Sequence, residues 1–188
     1  VAALVRVQPV QVVFTSGGTD AINLVASALG QSIGEGDEIV LSEMEHHSNI
    51  VPWHFLRERK GAVIRWAPIR DDGGFDLPAF EAMLSPRTKI VAITHMSNVL
   101  GTVTPAKHIA RLAHARGIPV LFDGCQASVH QRIDVQHLEC DFYIATGHKL
   151  YGPTGIGVLY LNKEWADRLP PFKGGGEMID EVYFDRVT

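Results

Sequence analysis

Short apolar runs alternate with longer amphipathic stretches along most of the chain. With their flanking residues, these runs are four to seven residues long, and they are rich in Val, Ile and Leu, which is typical of buried strands. They predict strands over residues 11–15, 38–42, 62–66, 89–94, 119–122, 141–145 and 155–161. The stretches between them predict helices over residues 21–29, 77–84, 105–117 and 162–169, and one more through Trp53, Phe55 and Leu56. This alternation predicts an α/β domain with a mostly parallel sheet.

One lysine lies in a Gly- and Pro-containing loop between two of the predicted strands. The loop spans residues 147–153 and holds Lys149. Long cations are rarely held near the interior of a sheet without a partner. A lysine that loses its proton there can attack a carbonyl and form a Schiff base. A lysine in an ordinary surface loop is the alternative at this point.

Polar side chains follow the ends of several predicted strands. Ligands of open α/β sheets bind beyond the carboxyl ends of the strands, so these side chains are candidates for one shared site. The candidates are Thr19, His46, His47, Asn98, Asp123, Gln126, Thr146, His148 and Lys149. Taken singly, Asp123 fits a helix cap and the two adjacent histidines fit a solvated pair. Their joint placement is what favours a site.

A Gly-containing turn joins the first predicted strand to the first helix. It contains Ser16, Gly17 and Gly18, and Thr19 and Asp20 are candidates for the helix cap. The free N–H groups and the dipole at such a helix start can bind a phosphate group. A turn that only caps the helix is the alternative.

Composition and charge narrow the class of protein. The chain has 188 residues, of which 46% are hydrophobic and 20% charged, which is ordinary for one globular domain. The net charge is −4 without a basic cluster, which argues against a nucleic-acid or anionic-membrane partner. No apolar run approaches the length that spans a membrane. Two cysteines, Cys125 and Cys140, do not suggest a disulfide framework, so a reducing cytoplasm is expected.

Asp123 follows one predicted strand, and the candidate Schiff-base Lys149 follows the next. This arrangement of an acidic residue and a lysine favours pyridoxal phosphate as the cofactor. Asp123 can pair with the pyridinium nitrogen and keep it protonated, which makes the ring an electron sink. Thr19, Thr146 and His148, with turn N–H groups, can hold the phosphate. A histidine can stack on the ring, while Asn98 or Gln126 can hydrogen-bond its hydroxyl; both amides follow strand ends.

Two other chemistries are less favoured by the sequence. A metal could be held by His46, His47 and His54 with the neighbouring Glu43 and Glu45, but these residues lack the i, i+4 histidine pair of a zinc helix. We therefore expect no metal. No Gly-x-Ser-x-Gly sequence is present, which argues against a nucleophile elbow.

Five motifs in one order carry a resemblance to a known family. They are Met44–Trp53, Ile93–Gly101, Asp123–Ala127, Gly147–Gly157 and Gly174–Ile179. They resemble the SUF-type (SufS-like, group II) cysteine desulfurases, which include selenocysteine lyases. These belong to the class V aminotransferase-like, fold-type I pyridoxal-phosphate enzymes. The resemblance implies a three-layer α/β/α domain with a mostly parallel mixed sheet.

The resemblance also implies roles for the candidate residues. Lys149 forms the Schiff base with pyridoxal phosphate and later moves protons, Asp123 pairs with the pyridine nitrogen, and His46 stacks on the ring as an acid–base group. The other implied cofactor-binding residues are Gly18, Thr19, Thr146 and His148 at the phosphate, and Asn98 and Gln126 at the ring hydroxyl and substrate carboxylate.

Two departures from the family bear on these roles. The family's phosphate turn is commonly Arg-Gly-Thr-Thr, whereas this chain has Ser16-Gly17-Gly18-Thr19, so the N–H of Gly18 must replace one Thr contact. Cys125 replaces the family's usual Ala, and neither Cys125 nor Cys140 matches the persulfide cysteine. That cysteine and a substrate-binding arginine belong to a C-terminal small domain in the family. Residues 1–188 are therefore expected to be the large, cofactor-binding domain of a longer enzyme.

The implied reaction converts L-cysteine to L-alanine and leaves a persulfide on an enzyme cysteine for iron–sulfur cluster assembly. The implied partners are a sulfur-acceptor protein and a second copy in a homodimer. A selenocysteine lyase or another class V lyase is one alternative. A cofactor-binding fragment without turnover is the other.

Overall fold

The computed structural model describes residues 1–176 and 181–186. The end of the Gly174–Ile179 motif therefore lies outside the described residues. Within the described residues, no helix is both long and apolar enough to span a membrane.

Seven strands of the described chain form one mixed sheet in the order β1-β7-β6-β5-β4-β2-β3. The neighbours from β6 through β5, β4 and β2 to β3 run parallel, whereas β7 is antiparallel to both β6 and β1. The strands are β1 (Val12–Thr15), β2 (Glu38–Ser42), β3 (Val63–Ala67), β4 (Thr88–Thr94), β5 (Val120–Asp123), β6 (Phe142–Thr146) and β7 (Gly157–Leu161). All seven predicted strands are confirmed within two residues at each end.

Helices cover both faces of this sheet, which confirms the three-layer α/β/α prediction. They are α1 (Ala2–Val5), α2 (Gly18–Gly30), α3 (Val51–Lys60), α4 (Leu77–Met83), α5 (Ala106–His114), α6 (Ala127–His130), α7 (Val135–Leu138) and α8 (Lys163–Arg168). One core packs α2, α3 and α8 against the sheet, and the other packs α1, α4, α5 and α7 against the opposite face.

Side chains of the central strands alternate between the two cores because successive residues of a strand point to opposite faces. In β2, Ile39 and Leu41 belong to the core under α2, while Val40 belongs to the core under α5. All five residues of β2 are buried, as in a parallel strand covered on both faces. This is why the central strands appear in the sequence as continuous apolar runs.

The helix boundaries differ from the predicted ones in small ways. The helix expected from Pro105 begins at Ala106, with Pro105 at the N-cap position, and it ends three residues before Gly117. Gly117 has a φ of 69°, a left-handed conformation that favours glycine, and it closes the following turn. The short helices α1, α6 and α7 were not predicted because four residues carry too little periodicity to detect.

Candidate active site

The topology brings the predicted site residues to one edge of the sheet. The strands β1, β2, β4, β5 and β6 all run in one direction, since β7 reverses the direction twice between β6 and β1. Their carboxyl ends therefore meet at the same edge, where parallel sheets bind ligands. A cavity of about 180 Å³ opens there.

The cavity is lined by all nine residues that the sequence assigned to cofactor binding. They are Gly18, Thr19, His46, Asn98, Asp123, Gln126, Thr146, His148 and Lys149. Ser48, Thr94, Met96 and Cys125 complete the lining. His47 does not line this cavity, although its ring centroid lies 6.0 Å from that of His46. The two histidines therefore differ in position, which their adjacency in the sequence does not reveal.

Asp123 is the buried acid of the cavity. It ends β5, is 5% exposed, and its Oδ1 accepts a hydrogen bond of 3.0 Å from the N–H of Cys125. Gly124 lies directly over the ring of Tyr143, where an added Cβ would come within 2.1 Å of ring carbons. The turn after Asp123 can therefore pack on the sheet only with glycine at this position.

His46 presents its imidazole at the cavity from the turn after β2. Its Nδ1 accepts a hydrogen bond of 3.2 Å from the N–H of Ser48, and the Ser48 hydroxyl lies 2.7 Å from the same nitrogen. In the neutral ring this bond places the proton on Nε2. The imidazole is thus oriented by Ser48, a cavity residue that the sequence analysis did not single out.

Lys149 lies in a tight turn that directly follows β6. Residues Gly147–Lys149 form one turn of 3₁₀-helix, in which the N–H of Leu150 donates to the carbonyl of Gly147 at 2.9 Å. The N–H of Gly147 donates to the carbonyl of Ile156 at 2.9 Å, which ties the loop to the start of β7. The side chain of Lys149 is half-buried, and among the described residues it takes part in no ion pair. Its amine is thus presented to the cavity by a turn of fixed shape.

The start of α2 also lines the cavity, but the prediction of a side-chain cap for this helix is wrong. The N-cap is Gly17 without a side-chain hydrogen bond, so Thr19 and Asp20 are not caps. Asp20 instead accepts a hydrogen bond of 2.9 Å from the N–H of Ser16, which lowers its pKa and closes the turn. The first N–H groups of a helix lack intrahelical acceptors, so those at Gly18 and Thr19 are suited to an anion.

Gly18 and Cys125 are matched in size where the start of α2 packs against the turn after β5. A Cβ added at Gly18 would lie 2.8 Å from the Sγ of Cys125 and 3.6 Å from the side chain of Ile144. The cysteine sulfur thus fills the space that a side chain at position 18 would need. Gly18 and Cys125, which both differ from the residues usual in the family that this sequence resembles, are therefore packed against each other.

This match predicts that substitutions at the two positions are coupled. Gly18→Ala should destabilise the protein by about 1–2 kcal/mol, because the sulfur of Cys125 must move into the cavity. The double variant Gly18→Ala/Cys125→Ala should recover roughly 1 kcal/mol of that loss, since the smaller side chain leaves room for the new methyl group. Urea unfolding of the two single variants and the double variant measures this coupling. Additive effects would contradict the match.

Glu45 is a buried carboxyl beside the cavity that the sequence analysis considered only as a metal ligand. It is 8% exposed and accepts hydrogen bonds from the N–H of Thr94 at 2.8 Å and from Nδ2 of Asn49 at 2.7 Å. The hydroxyl of Ser42 contacts its Oε1. Burial raises the pKa of Glu45 to about 7, and the nearby charge of Asp123 also raises it. A sequence signal existed, since Glu45 directly precedes His46.

His95 is a second buried polar residue close to the site. The Nδ1 of His95 lies 2.9 Å from the hydroxyl of Tyr143, and its Nε2 lies 3.3 Å from Nε2 of Gln131. The backbone N–H of His95 donates to the carbonyl of Asp123 at 2.9 Å. Burial lowers the pKa of His95 to about 4, so the ring is neutral at pH 7. This group fixes the end of β5, and hence the position of the buried acid.

Neither cysteine has the character of a reactive thiol. Both are free, and burial raises the pKa of each well above its usual range. The negative charge of Asp123 adds to this effect at Cys125. The thiolate is the nucleophilic form, and these environments disfavour it. Within residues 1–176 and 181–186, no group of three His, Cys, Asp or Glu side chains is placed to hold a metal ion.

Comparison with known sequences gives one family for the whole chain. The sequence model described as aminotransferase class V matches residues 1–188. A cysteine desulfurase of Dickeya dadantii (strain 3937) is 55% identical over 178 residues, which make up 94% of this chain and 43% of that protein. The chain thus spans less than half the length of this relative.

Solved structures of similar fold agree with the sequence match. The crystal structure of the cysteine desulfurase CsdA (S-sulfonic acid) from Escherichia coli superposes with a TM-score of 0.96 at 40% identity, covering 100% of this chain and 47% of that one. A structure of SspA in complex with cysteine has a TM-score of 0.86 at 31% identity, covering 94% of this chain and 51% of that one.

Proposed function

The chain belongs to the class V aminotransferase family, and from this premise we propose that it is the cofactor-binding part of a pyridoxal-phosphate-dependent cysteine desulfurase. The observation that carries the proposal is the convergence of four groups on one cavity. They are the amine of Lys149, the buried acid Asp123, the imidazole of His46 and the open helix start at Gly18. We propose further that residues 1–188 correspond to the large domain of a longer enzyme.

The polar groups of the cavity fit both the phosphate group and the ring nitrogen of pyridoxal phosphate. The start of α2 offers N–H groups without a side-chain cap, and the hydroxyls of Thr19 and Thr146 line the same cavity. The Oγ1 of Thr146 lies 3.2 Å from Nδ1 of His148, so these two side chains support each other. In the same cavity, Asp123 offers a buried carboxylate for a cationic ring nitrogen. The cavity therefore offers N–H and hydroxyl donors for an anion and a carboxylate for a cation.

Bound pyridoxal phosphate supplies an electron sink for bond cleavage at the substrate's carbon atoms. The residues of the chain do the remaining work. Lys149 would provide the amine that holds the cofactor, and its Nζ would be placed to carry protons. Asp123 stabilises a proton on the ring nitrogen, which strengthens the electron sink. His46 would face the cofactor ring, and because Ser48 engages its Nδ1, its Nε2 is the atom left to exchange a proton.

The amide side chains at the rim suit a polar substrate. Asn98 and Gln126 both line the cavity, and we propose that they address the ring hydroxyl and the substrate carboxylate. L-cysteine is the proposed substrate, in keeping with the cysteine desulfurase relatives and with a structural neighbour that binds cysteine. The raised pKa values of Cys125 and Cys140 make both poor acceptors of sulfur. We therefore propose that the persulfide cysteine lies in the remainder of a longer enzyme.

The proposed setting of the enzyme follows from the family. We propose that it works as a homodimer in the cytoplasm and hands sulfur to an acceptor protein for iron–sulfur cluster assembly. Two free cysteines are compatible with a reducing compartment.

The cofactor assignment is tested by the visible absorbance spectrum of the purified protein with added pyridoxal phosphate. We expect a yellow protein that, after borohydride reduction and peptide mapping, carries the pyridoxyl group on Lys149. A folded protein that stays colourless, or a label on another lysine, would refute the assignment. Competition between cysteine and selenocysteine in the full-length enzyme distinguishes a desulfurase from a selenocysteine lyase.

A further inference from the structure

Glu45 connects three elements at the edge of the active site through one carboxyl group. Its Oε1 accepts the N–H of Thr94 at the end of β4, and its Oε2 accepts Nδ2 of Asn49 just before α3. Ser42, the last residue of β2, contacts the same carboxyl. Glu45 is itself the residue before His46, whose side chain lines the cavity. The segment that carries His46 is thus fixed at its first residue.

The partners of Glu45 are themselves fixed. Asn49 donates a second hydrogen bond of 3.1 Å to the carbonyl of Ala92, and its Oδ1 accepts Nε1 of Trp53 at 3.0 Å. Trp53 and Asn49 are fully buried, so no water can replace these bonds. Asn49 therefore cannot turn its amide over, and position 45 must offer an acceptor to both Asn49 and Thr94.

Only a carboxyl group meets this requirement. An amide at position 45 would offer one acceptor and would place its NH₂ against an N–H donor. A protonated carboxyl still accepts at both oxygens and can donate its proton to Ser42. Because burying a carboxyl group carries a large cost, its presence beside the site calls for a role that a hydrophobic residue could not fill.

We propose that Glu45 is a positioning residue that holds His46 over the cofactor cavity. The proposal rests on the proposed function, because His46 acts there on a bound cofactor. It assigns to Glu45 no contact with the cofactor or the substrate. Its effect on the reaction passes through the backbone turn between Glu45 and Asn49.

The ionisation of Glu45 gives the proposal a property that can be measured. Burial raises the pKa of its carboxyl to about 7, from 4.5 in the unfolded chain. The folded protein therefore holds a proton there between these values, and the stability from this group is full below pH 4.5 and is lost as pH rises through 7. The groups that face Glu45 are Ser42 from β2, Thr94 from β4, the amide of Asn49, and the charged Asp123 from β5.

The test compares Glu45→Ala, Glu45→Gln, His46→Ala and the double variant Glu45→Ala/His46→Ala, with Glu43→Gln as the matched control. Glu43 lies two residues before Glu45 and is exposed. Affinity for pyridoxal phosphate is measured by absorbance titration. Hydrogen exchange of the Ser48 amide, which donates to Nδ1 of His46, is measured without cofactor. If Glu45→Ala does not fold, Glu45→Gln, which keeps the volume of the side chain, takes its place in the double variant.

We expect each Glu45 variant to weaken cofactor binding by about tenfold, because a buried donor loses its acceptor and the turn shifts. The double variant should bind no more weakly than His46→Ala alone, since Glu45 acts through that residue. The Ser48 amide should lose protection in both Glu45 variants and keep it in the control. The loss of thermal stability in Glu45→Gln should also shrink between pH 5 and pH 8, because only the wild type loses the stability that the protonated Glu45 carboxyl provides.

The other possible outcomes distinguish a failure of the positioning role of Glu45 from a failure of the proposed function. Folded Glu45 variants with wild-type affinity, or losses that add to that of His46→Ala, would overturn the positioning role. A Ser48 amide that stays protected in the Glu45 variants would overturn it as well. A wild-type protein that binds no pyridoxal phosphate would refute the proposed function instead, and the Ser48 amide would still decide the role of Glu45.

Discussion

Lys149→Ala is expected to abolish covalent attachment of pyridoxal phosphate while leaving the fold intact. Lys149 lines the cavity together with Asp123 and His46, and no other lysine of the described residues does so. The turn that carries it is held by backbone hydrogen bonds between Gly147, Leu150 and Ile156, which the substitution leaves in place. We therefore expect a change in unfolding free energy of less than about 0.5 kcal/mol. Borohydride reduction followed by mass spectrometry should find no pyridoxyl group on the variant.

The matched control for this prediction is Lys163→Ala. Lys163 is exposed at the start of α8 and lies outside the cavity lining. The control should retain the yellow colour and the labelled peptide of the wild type. Equal labelling of the Lys149 variant and the wild type would remove Lys149 from its proposed role. Unfolding of the variant would instead show that the lysine side chain supports the loop.

The order of strands and helices could be predicted because burial on both faces leaves a strong pattern. The fully buried strands β2 and β6 contain the apolar runs at residues 39–41 and 142–145, and polar residues follow these runs directly. The predicted placement of site residues then needed only the rule that parallel strands end at one edge. The antiparallel direction of β7 could not be predicted from the sequence. A buried antiparallel strand between two others shows the same kind of apolar run as a buried parallel strand.

Contacts between distant segments are what the sequence could not supply. The burial of Glu45 depends on the backbone N–H of Thr94, which is 49 residues away, and a Glu in a polar stretch is more often solvated. The fit of Gly18 to Cys125 depends on where α2 crosses the turn after β5. Each is a packing relation that periodicity does not encode. The sequence could therefore predict which candidate residues line one cavity, whereas it did not reveal the residues that hold them in position.

Gly157→Ala is expected to destabilise the protein and to weaken anion binding together. Gly157 begins β7 and pairs with Thr15, so its Cα faces the turn between β1 and α2. An added Cβ would lie 2.4 Å from the carbonyl carbon of Gly17 and 2.5 Å from Oγ1 of Thr15. Backbone atoms cannot move aside as a flexible side chain can, so we expect a loss of about 3 kcal/mol or more. Urea unfolding measures that loss.

Gly157→Ala should also affect the cofactor cavity, because the added Cβ would displace Gly17, the N-cap of α2. Moving it tilts the N–H groups of Gly18 and Thr19 away from the cavity, so affinity for pyridoxal phosphate should fall along with stability. Gly155→Ala is the control, since Gly155 has no atom within 4 Å of an added Cβ but has a φ of 81°. Left-handed strain alone should cost it roughly 1–2 kcal/mol and leave cofactor affinity unchanged. Two outcomes would contradict this prediction: a larger loss of stability in Gly155→Ala than in Gly157→Ala, or full cofactor affinity in Gly157→Ala. Either would show that the close packing of β7 against Gly17 does not position the N–H groups at the start of α2.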